Sequence, residues 1–192
     1  MGGTIARPSW STLVALSLVT LGTSGLAQPV SNEVERCVGL RKQATAARNA
    51  MDWPSQEQLA TTLVSTCRHI LASWDIAWGY YDIANANHEM KKSQRALDAS
   101  ERCILTQYDM PDCHLEQGWA LHSLGREDEA LKAIERAERQ AYACVERAER
   151  SLRATIVDKQ VHEADRDECR STRKLCKEIF SASKAGKPWP WW

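Results

Sequence analysis

The sequence predicts an all-α protein, and three observations support this fold class. Alanine, leucine, glutamate, arginine and lysine dominate between residues 31 and 184, whereas phenylalanine occurs once and valine and isoleucine are thinly spread. The dominant residues favour helices over strands. Short breaks containing proline, glycine or aspartate interrupt the helical composition, and one sequence pattern recurs at a fixed offset along the chain. We therefore expect helices paired by short turns.

The first 27 residues have the pattern of a secretory signal sequence. Arg7 is their only charged residue, residues 13–21 form a short apolar run, and small residues lead up to Ala27. This run is far shorter than the roughly 20 residues that a membrane-spanning helix needs, so we favour a cleaved signal over a membrane anchor. We expect cleavage after Ala27 and export of residues 28–192 to the periplasm or out of the cell.

The charge of the chain limits the classes of partner. Lysine plus arginine and aspartate plus glutamate both number 25, so the formal net charge is zero. A neutral chain lacks the basic surface that binds nucleic acid, and no segment after residue 27 is apolar enough to span a membrane. Residues 28–183 are long enough for one helical domain, and residues 184–192 form a tail.

Sequence breaks divide the helical region. The clearest are DWPS at residues 52–55, DMPD at 109–112, glycine at 125 and GKP at 186–188. Weaker breaks are expected near residues 90 and 158. With these turns we predict about four helix pairs, at residues 31–73, 74–110, 111–143 and 144–183.

A repeat of 34 residues relates these helix pairs. Residues 96–103 and 130–137 are identical at five of eight positions. Four arginines continue the same spacing: Arg68, Arg102, Arg136 and Arg170. A fixed period of this length is typical of stacked helix hairpins. The arginines fall in second helices, where we expect a solvated ridge rather than an anion-binding stripe.

Residues 112–142 resemble the tetratricopeptide repeat, and residues 74–110 and 144–176 match it more weakly. Small residues fill four positions where the paired helices of that family approach closely. They are Gly118, Gly125, Ala130 and Ala137. The resemblance implies a short right-handed superhelical stack of about four antiparallel hairpins. It also implies a concave groove, lined by the first helix of each pair, that binds a peptide or another protein.

The resemblance identifies candidate partner-binding residues along this groove. One helix supplies Trp78, Tyr81, Asn85 and His88, and the next supplies Leu115, Trp119 and His122. Aromatic anchors beside polar groups are what a recognition surface needs. Two alternatives stay open: the tryptophans pack between hairpins instead, or the two histidines are surface neighbours by coincidence.

All seven cysteines follow residue 27, and in an oxidising compartment they predict up to three disulfides. In an antiparallel hairpin, residues equally far from the turn lie opposite each other. Cys37 and Cys67 are centred on the break at residue 52, so this pair can bridge. Cys103 and Cys113 are centred on residue 108, beside the next break, and can bridge as well. Buried reduced thiols are the alternative.

The remaining three cysteines leave one choice open. Cys169 and Cys176 are seven residues apart on one predicted helix, about 10.5 Å along its axis, which is too far for a disulfide between them. Cys144 is able to pair with either of them, and the third thiol stays free.

Motifs for catalysis are missing from the sequence. It contains no nucleophile-elbow serine, no phosphate-binding glycine loop, no zinc-protease HExxH and no CxxC redox pair. One candidate set of zinc ligands consists of Cys103, Cys113, His114 and His122. It fails because the two histidines are more than two helical turns apart. We therefore predict neither an enzyme nor a bound metal or cofactor.

The C-terminal tail, residues 184–192, is rich in tryptophan and proline. Its prolines prevent helix, and Trp189, Trp191 and Trp192 have no helical face on which to pack. Such a tail can dock on a partner, contact a membrane interface, or fold back over the last hairpin or the groove.

These features together predict an exported scaffold that binds a peptide or protein partner in its groove. One alternative is a structural component of the cell envelope, docked through the C-terminal tryptophans. The other is a small enzymatic or metal-binding helical domain, for which the sequence shows no set of convergent polar groups.

Overall fold

Helices account for nearly all of the described chain. A computed structural model describes residues 28–154 and 159–190, and the side chains of residues 32–152 and 162–190. These parts contain seven helices and no strand, which confirms the predicted all-α class. The predicted signal sequence, the weak break near residue 158, and Trp191 and Trp192 lie outside the described residues.

The helices follow most of the predicted turns. Their bounds are α1 (Gln28–Asn49), α2 (Trp53–Thr66), α3 (Ser73–Glu89), α4 (Ser93–Thr106), α5 (Pro111–Ser123), α6 (Glu127–Ala154) and α7 (Lys159–Lys184). At the start of α2, the Asp52 carboxylate accepts a hydrogen bond from the Ser55 backbone amide at 3.3 Å, and proline follows in the first turn. Gly125 adopts the left-handed backbone that terminates α5.

The predicted division between residues 143 and 144 is wrong, because α6 continues through it as one helix of 28 residues. No glycine or proline lies between residues 127 and 154, so no residue stops the helix there. One buried stripe continues across the expected boundary at helical spacing: Ala137, Ala141, Val145 and Ala148. The described chain therefore has seven helices rather than four complete pairs.

The helices form two layers. The backbone of α1 lies close to that of α3, α3 to α5, and α5 to α7, whereas the backbones of α2, α4 and α6 do not come as close to one another within the described residues. The odd-numbered helices thus form one continuous layer, and the even-numbered helices form the other. The buried core includes Leu63, Ile76, Leu97, Trp119, Ile134 and Ile179.

Three disulfides tie successive helices together. They join α1 to the end of α2, α4 to α5, and α6 to α7, through Cys37–Cys67, Cys103–Cys113 and Cys144–Cys169. The first two confirm the predicted pairs, and the third decides the choice that the sequence leaves open. Cys176 is a buried free thiol. Burial raises the pKa of Cys176 to about 12, so this thiol stays protonated at neutral pH.

Gly118 allows α5 to approach α6 closely. A β-carbon at this position would lie 2.9 Å from Cγ1 of Ile134, whose side chain is fully buried. Carbon atoms of packed side chains do not normally come so close. Close packing against Ile134 therefore explains why a small residue occupies position 118.

We expect Gly118→Ala to lower the free energy of unfolding by about 1 kcal/mol. Crowding against Ile134 costs about 2 kcal/mol, and the higher helix propensity of alanine offsets roughly half of that loss. Urea titration of the purified variant measures the difference. Adding Ile134→Val, which shortens the crowded side chain, should give a double variant whose loss is smaller than the sum of the single losses. Additive losses would show that the two side chains do not collide.

Candidate functional site

A pocket of about 400 Å³ opens on the layer of odd-numbered helices, and we call it the central pocket. Its walls come from α1, α3, α5 and α7, with one side chain from α2. The lining residues are Arg48, Trp53, Tyr81, Asn85, Glu89, Asp112, Leu115, Glu116, Glu168, Ser171 and Thr172. Polar and aromatic side chains thus dominate a cleft that is large enough for one or two side chains of a ligand.

Arg48, in the last turn of α1, forms one wall of the central pocket. Its guanidinium lies 5.7 Å from the ring centre of Trp78 and 5.5 Å from that of Tyr81. It also donates a hydrogen bond to Asp82 at 3.1 Å. Asp82 is 2 % exposed, and burial raises the pKa of Asp82 while the Arg48 charge opposes that shift. Arg48 therefore supplies the positive charge that this buried carboxylate requires.

A chain of hydrogen bonds crosses three helices behind this wall. The Gln56 amide on α2 donates to Asp82 at 3.0 Å and to Asn85 at 3.3 Å, both on α3. Asn85 in turn donates to Glu116 on α5 at 3.3 Å. Because Gln56 is fully buried, these bonds hold the side chains of Asn85 and Glu116 in place at the pocket.

Glu116 is the most buried carboxylate in the wall of the central pocket. The residue is 5 % exposed, and its Oε2 atom has no hydrogen-bond donor among the described residues. The Nδ1 atom of His88 lies 3.4 Å from that oxygen and forms an ion pair with it only when the imidazole is protonated. One oxygen of a buried carboxylate is therefore left without a hydrogen bond at the pocket wall.

Four carboxylates face the central pocket against one cation. They are Glu89, Asp112, Glu116 and Glu168, opposed by Arg48. Burial, and next the negative charge of Glu168, raise the pKa of Asp112 to about 6. This shift persists although the Thr172 hydroxyl donates a hydrogen bond to Asp112 at 2.9 Å. Burial also raises the pKa of Glu168, so the pocket holds crowded negative charge.

A second cleft, of about 420 Å³, adjoins the central pocket at Asp112 and Glu168, and we call it the lateral pocket. Its other aromatic and charged lining residues are Trp74, Trp78, Asp109, Arg147, His162 and Asp165. Arg147 pairs with Asp109 at 2.7 Å, which neutralises that carboxylate. Asp112, Asp165 and Glu168 then extend the acidic surface from one pocket into the other.

Of the residues that were predicted to line the groove, some line the two pockets and others are buried. Tyr81, Asn85 and Leu115 line the central pocket, and Trp78 lines the lateral pocket. Three of these side chains are partly exposed, whereas Leu115 is 3 % exposed and offers little surface. The aromatic and amide part of the predicted surface is thus accessible to a ligand.

Trp119 and His88 do not lie on an open surface, so their prediction as partner contacts is corrected. Trp119 is fully buried and His88 is 6 % exposed. Their rings pack against each other with centres 5.7 Å apart. The alternative that Trp119 packs inside the protein is the one observed, because another aromatic residue covers it.

That cover is the C-terminal tail. Trp189 is 3 % exposed, and its ring centre lies 5.2 Å from that of Trp119. The Trp189 ring also stacks on His122, with centres 4.1 Å apart and planes 7° apart. At the edge of the imidazole, the Nδ1 atom of His122 forms a hydrogen bond with the Glu127 carboxylate at 2.6 Å. Trp189 therefore folds back and is not available for docking, and His122 lies half-buried beneath it.

Arg48, Asp82 and Glu116 belong to the candidate site but were not predicted from the sequence. Their spacing contains a signal, since 34 residues separate Arg48 from Asp82 and the same number separates Asp82 from Glu116. A cation followed by acids at one position of successive repeats indicates charge pairing between neighbouring helices. The groove prediction used the register of α3 and α5 alone and so did not find this pairing.

Two other kinds of feature are absent from the part of the chain that the structure describes. No cluster of three or more His, Cys, Asp or Glu side chains in this part of the chain could hold a metal ion. No helix within it is long and apolar enough to cross a membrane. No protein-family model, curated protein or solved structure matches the chain, so the candidate site rests on its own geometry and chemistry.

Proposed function

We propose that this chain is an exported scaffold that binds a peptide segment of a partner protein in the central pocket. The observation that carries the proposal is the pocket itself, where several helices bring aromatic, amide and carboxylate side chains to one cleft. The helices would then form the right-handed stack of antiparallel hairpins that the tetratricopeptide resemblance implies. The signal-like first 27 residues and the three disulfides support an oxidising compartment, either the periplasm or the outside of the cell.

The rigidity of the central pocket supports a binding role. Hydrogen bonds that run from Gln56 through Asn85 to Glu116 hold the pocket side chains before any ligand arrives. A preorganised site loses less conformational entropy when it binds. Trp53 and Tyr81, both half-buried at the pocket, add aromatic surface of the kind that anchors protein partners.

A steric block of the central pocket tests the proposal. Residues 28–192, with their disulfides intact, select binders from a displayed library of random peptides, and the enriched peptides are then titrated against variants. Ser171 is exposed and lines the pocket, so Ser171→Trp should fill it and weaken binding by about tenfold or more. Ser181 is exposed on the same helix but lies outside the pocket lining, so Ser181→Trp should change binding by less than about twofold.

Because Ser171→Trp and Ser181→Trp each add one indole to the same helix, a difference between them cannot come from added hydrophobic surface alone. Circular dichroism checks that both variants keep the helical fold. If no peptide is enriched, or if both variants bind the enriched peptides equally well, the central pocket is not a site for peptides.

A further inference from the structure

Three carboxylates of the central pocket, Glu89, Asp112 and Glu168, form no direct ion pair with a described cation, although the charge of Arg48 lowers the pKa of Glu168 against the effect of burial. Glu89 and Glu168 are exposed at its rim, and neither forms an ion pair with a described residue. Asp112 accepts a hydrogen bond from the uncharged hydroxyl of Thr172. Arg48 is the one cation among the lining residues, and it is already engaged by Asp82.

Glu116 supplies an independent observation that points to a ligand. Its side chain is 7 % exposed and lies in the wall of the central pocket. Its Oε2 atom has no hydrogen-bond partner among the described residues, and the His88 imidazole, 3.4 Å away, forms an ion pair with it only when protonated. Buried polar atoms in native proteins nearly always have a partner, and an exception calls for an explanation. Because this oxygen is buried, a cation that enters the pocket would stabilise the Glu116 charge through space, and an uncharged ligand would not.

Arg48 shows how these helices hold a positive charge. Its guanidinium lies over the rings of Trp78 and Tyr81 and against the Asp82 carboxylate. Aromatic faces attract cations, and a buried carboxylate adds a direct ionic contact. The pocket lining contains the same kinds of side chain, the aromatic rings of Trp53 and Tyr81 and the Glu116 carboxylate.

We infer that the central pocket selects a cationic side chain, so that the partner segment carries a lysine or an arginine that enters it. The inference rests on the proposed function and specifies the chemistry of its ligand. The formal net charge of the chain is zero, so the attraction comes from the pocket and not from the protein as a whole. Such local complementarity gives specificity for one position of the partner segment.

The peptides that the unaltered chain enriches provide the test. We expect them to share a lysine or an arginine at one position. Replacing that residue with uncharged norleucine should weaken binding to residues 28–192 by about tenfold or more. Fluorescence anisotropy of matched peptide pairs measures the difference, which we call the charge preference.

Three variants that each remove one negative charge locate the contact. Glu116→Gln keeps the oxygen that accepts from Asn85 and should reduce the charge preference by about tenfold. Glu89→Gln changes an exposed rim residue and should reduce the preference by about threefold, which keeps the test informative if Glu116→Gln fails to fold. Glu101→Gln removes an exposed charge on α4, outside the pocket lining, and should leave the preference unchanged.

The outcomes separate this inference from the proposed function. Enriched peptides without a basic residue, whose binding is nevertheless lost in Ser171→Trp, overturn the charge selection and leave peptide binding intact. A charge preference that survives both pocket variants overturns it as well. Spermidine or N-acetyl-lysine amide that binds as tightly as the peptide would identify a small cation, and not a protein segment, as the ligand. A library that yields no peptide overturns both proposals.

Discussion

Replacing Trp189 with alanine is expected to lower the free energy of unfolding by about 3 kcal/mol. The indole is 3 % exposed and fills the space between Trp119 and His122. Its removal from a packed interior loses both the transfer free energy and the contacts of the surrounding rings. It also exposes Trp119, which is otherwise fully buried.

Chemical denaturation of residues 28–192 and of the variant measures this loss. Trp74→Ala is the matched control, because Trp74 is 42 % exposed and should cost about 1 kcal/mol or less. A chain that ends at Lys187 should lose as much stability as Trp189→Ala, since both remove the same ring. Equal losses for Trp74→Ala and Trp189→Ala would contradict the fold-back of the tail.

The fold-back shows what the periodicity of a sequence leaves undetermined. The 34-residue repeat places Trp119 in a position that faces the groove in the tetratricopeptide family. A repeat register describes one helix pair against its neighbours, and it contains no information on a non-helical tail that returns from the far end of the chain. Trp189 covers this part of the predicted surface, whereas Tyr81 and Asn85 line the central pocket.

Most of the helices and two of the disulfides were predictable because their signals are local. Proline, aspartate and glycine stop helices wherever they occur, and Cys37 pairs with Cys67 across a turn that the sequence marks clearly. The boundary at residues 143 and 144 was wrong because it was taken from the repeat length. Local helix propensity favours a continuous helix there. The buried stripe that includes Ala141 and Val145 continues across the boundary, and α6 packs along α7.

The surroundings of Asp112 in the folded protein destabilise the ionised form of its carboxylate. Burial and the neighbouring charge of Glu168 raise the pKa of Asp112 to about 6 from an ordinary value of 3.8. The folded protein therefore binds this proton more tightly than the unfolded chain does. The contribution of this tighter proton binding to the free energy of unfolding is therefore fully present below about pH 4. It decreases as the pH rises through 6 and is absent above about pH 7.

We expect Asp112→Asn to be more stabilising at pH 8 than at pH 4. The change that it causes in the free energy of unfolding should differ by about 2 kcal/mol between the two pH values. The raised pKa of Asp112 corresponds to roughly 3 kcal/mol in the free energy of unfolding, and partial exposure of the side chain to solvent reduces that figure. Asparagine keeps an oxygen that can accept the Thr172 hydrogen bond.

Urea titrations of both proteins between pH 4 and pH 8 measure the difference, so that groups common to both cancel. The charged and titratable groups that line the same pockets as Asp112 are Arg48, Tyr81, Glu89, Asp109, Glu116, Arg147, His162, Asp165 and Glu168. Cys176 is also close enough to interact electrostatically with Asp112. Asp128→Asn is the control, because Asp128 is an exposed acid in the first turn of α6, as Asp112 is in the first turn of α5. That control should lose up to about 1 kcal/mol of helix-terminus stabilisation and gain nothing at high pH.

The same variant links stability to the proposed selection of a cation. A bound lysine or arginine side chain would favour the ionised form of Asp112, so binding should release a proton and weaken as the pH falls below 6. Asp112→Asn should therefore be more stable at pH 8 and bind a basic peptide less tightly, because stability and function make opposite demands on this carboxylate. A variant that gains stability and keeps its full affinity for the peptide would show that the charge of Asp112 takes no part in binding.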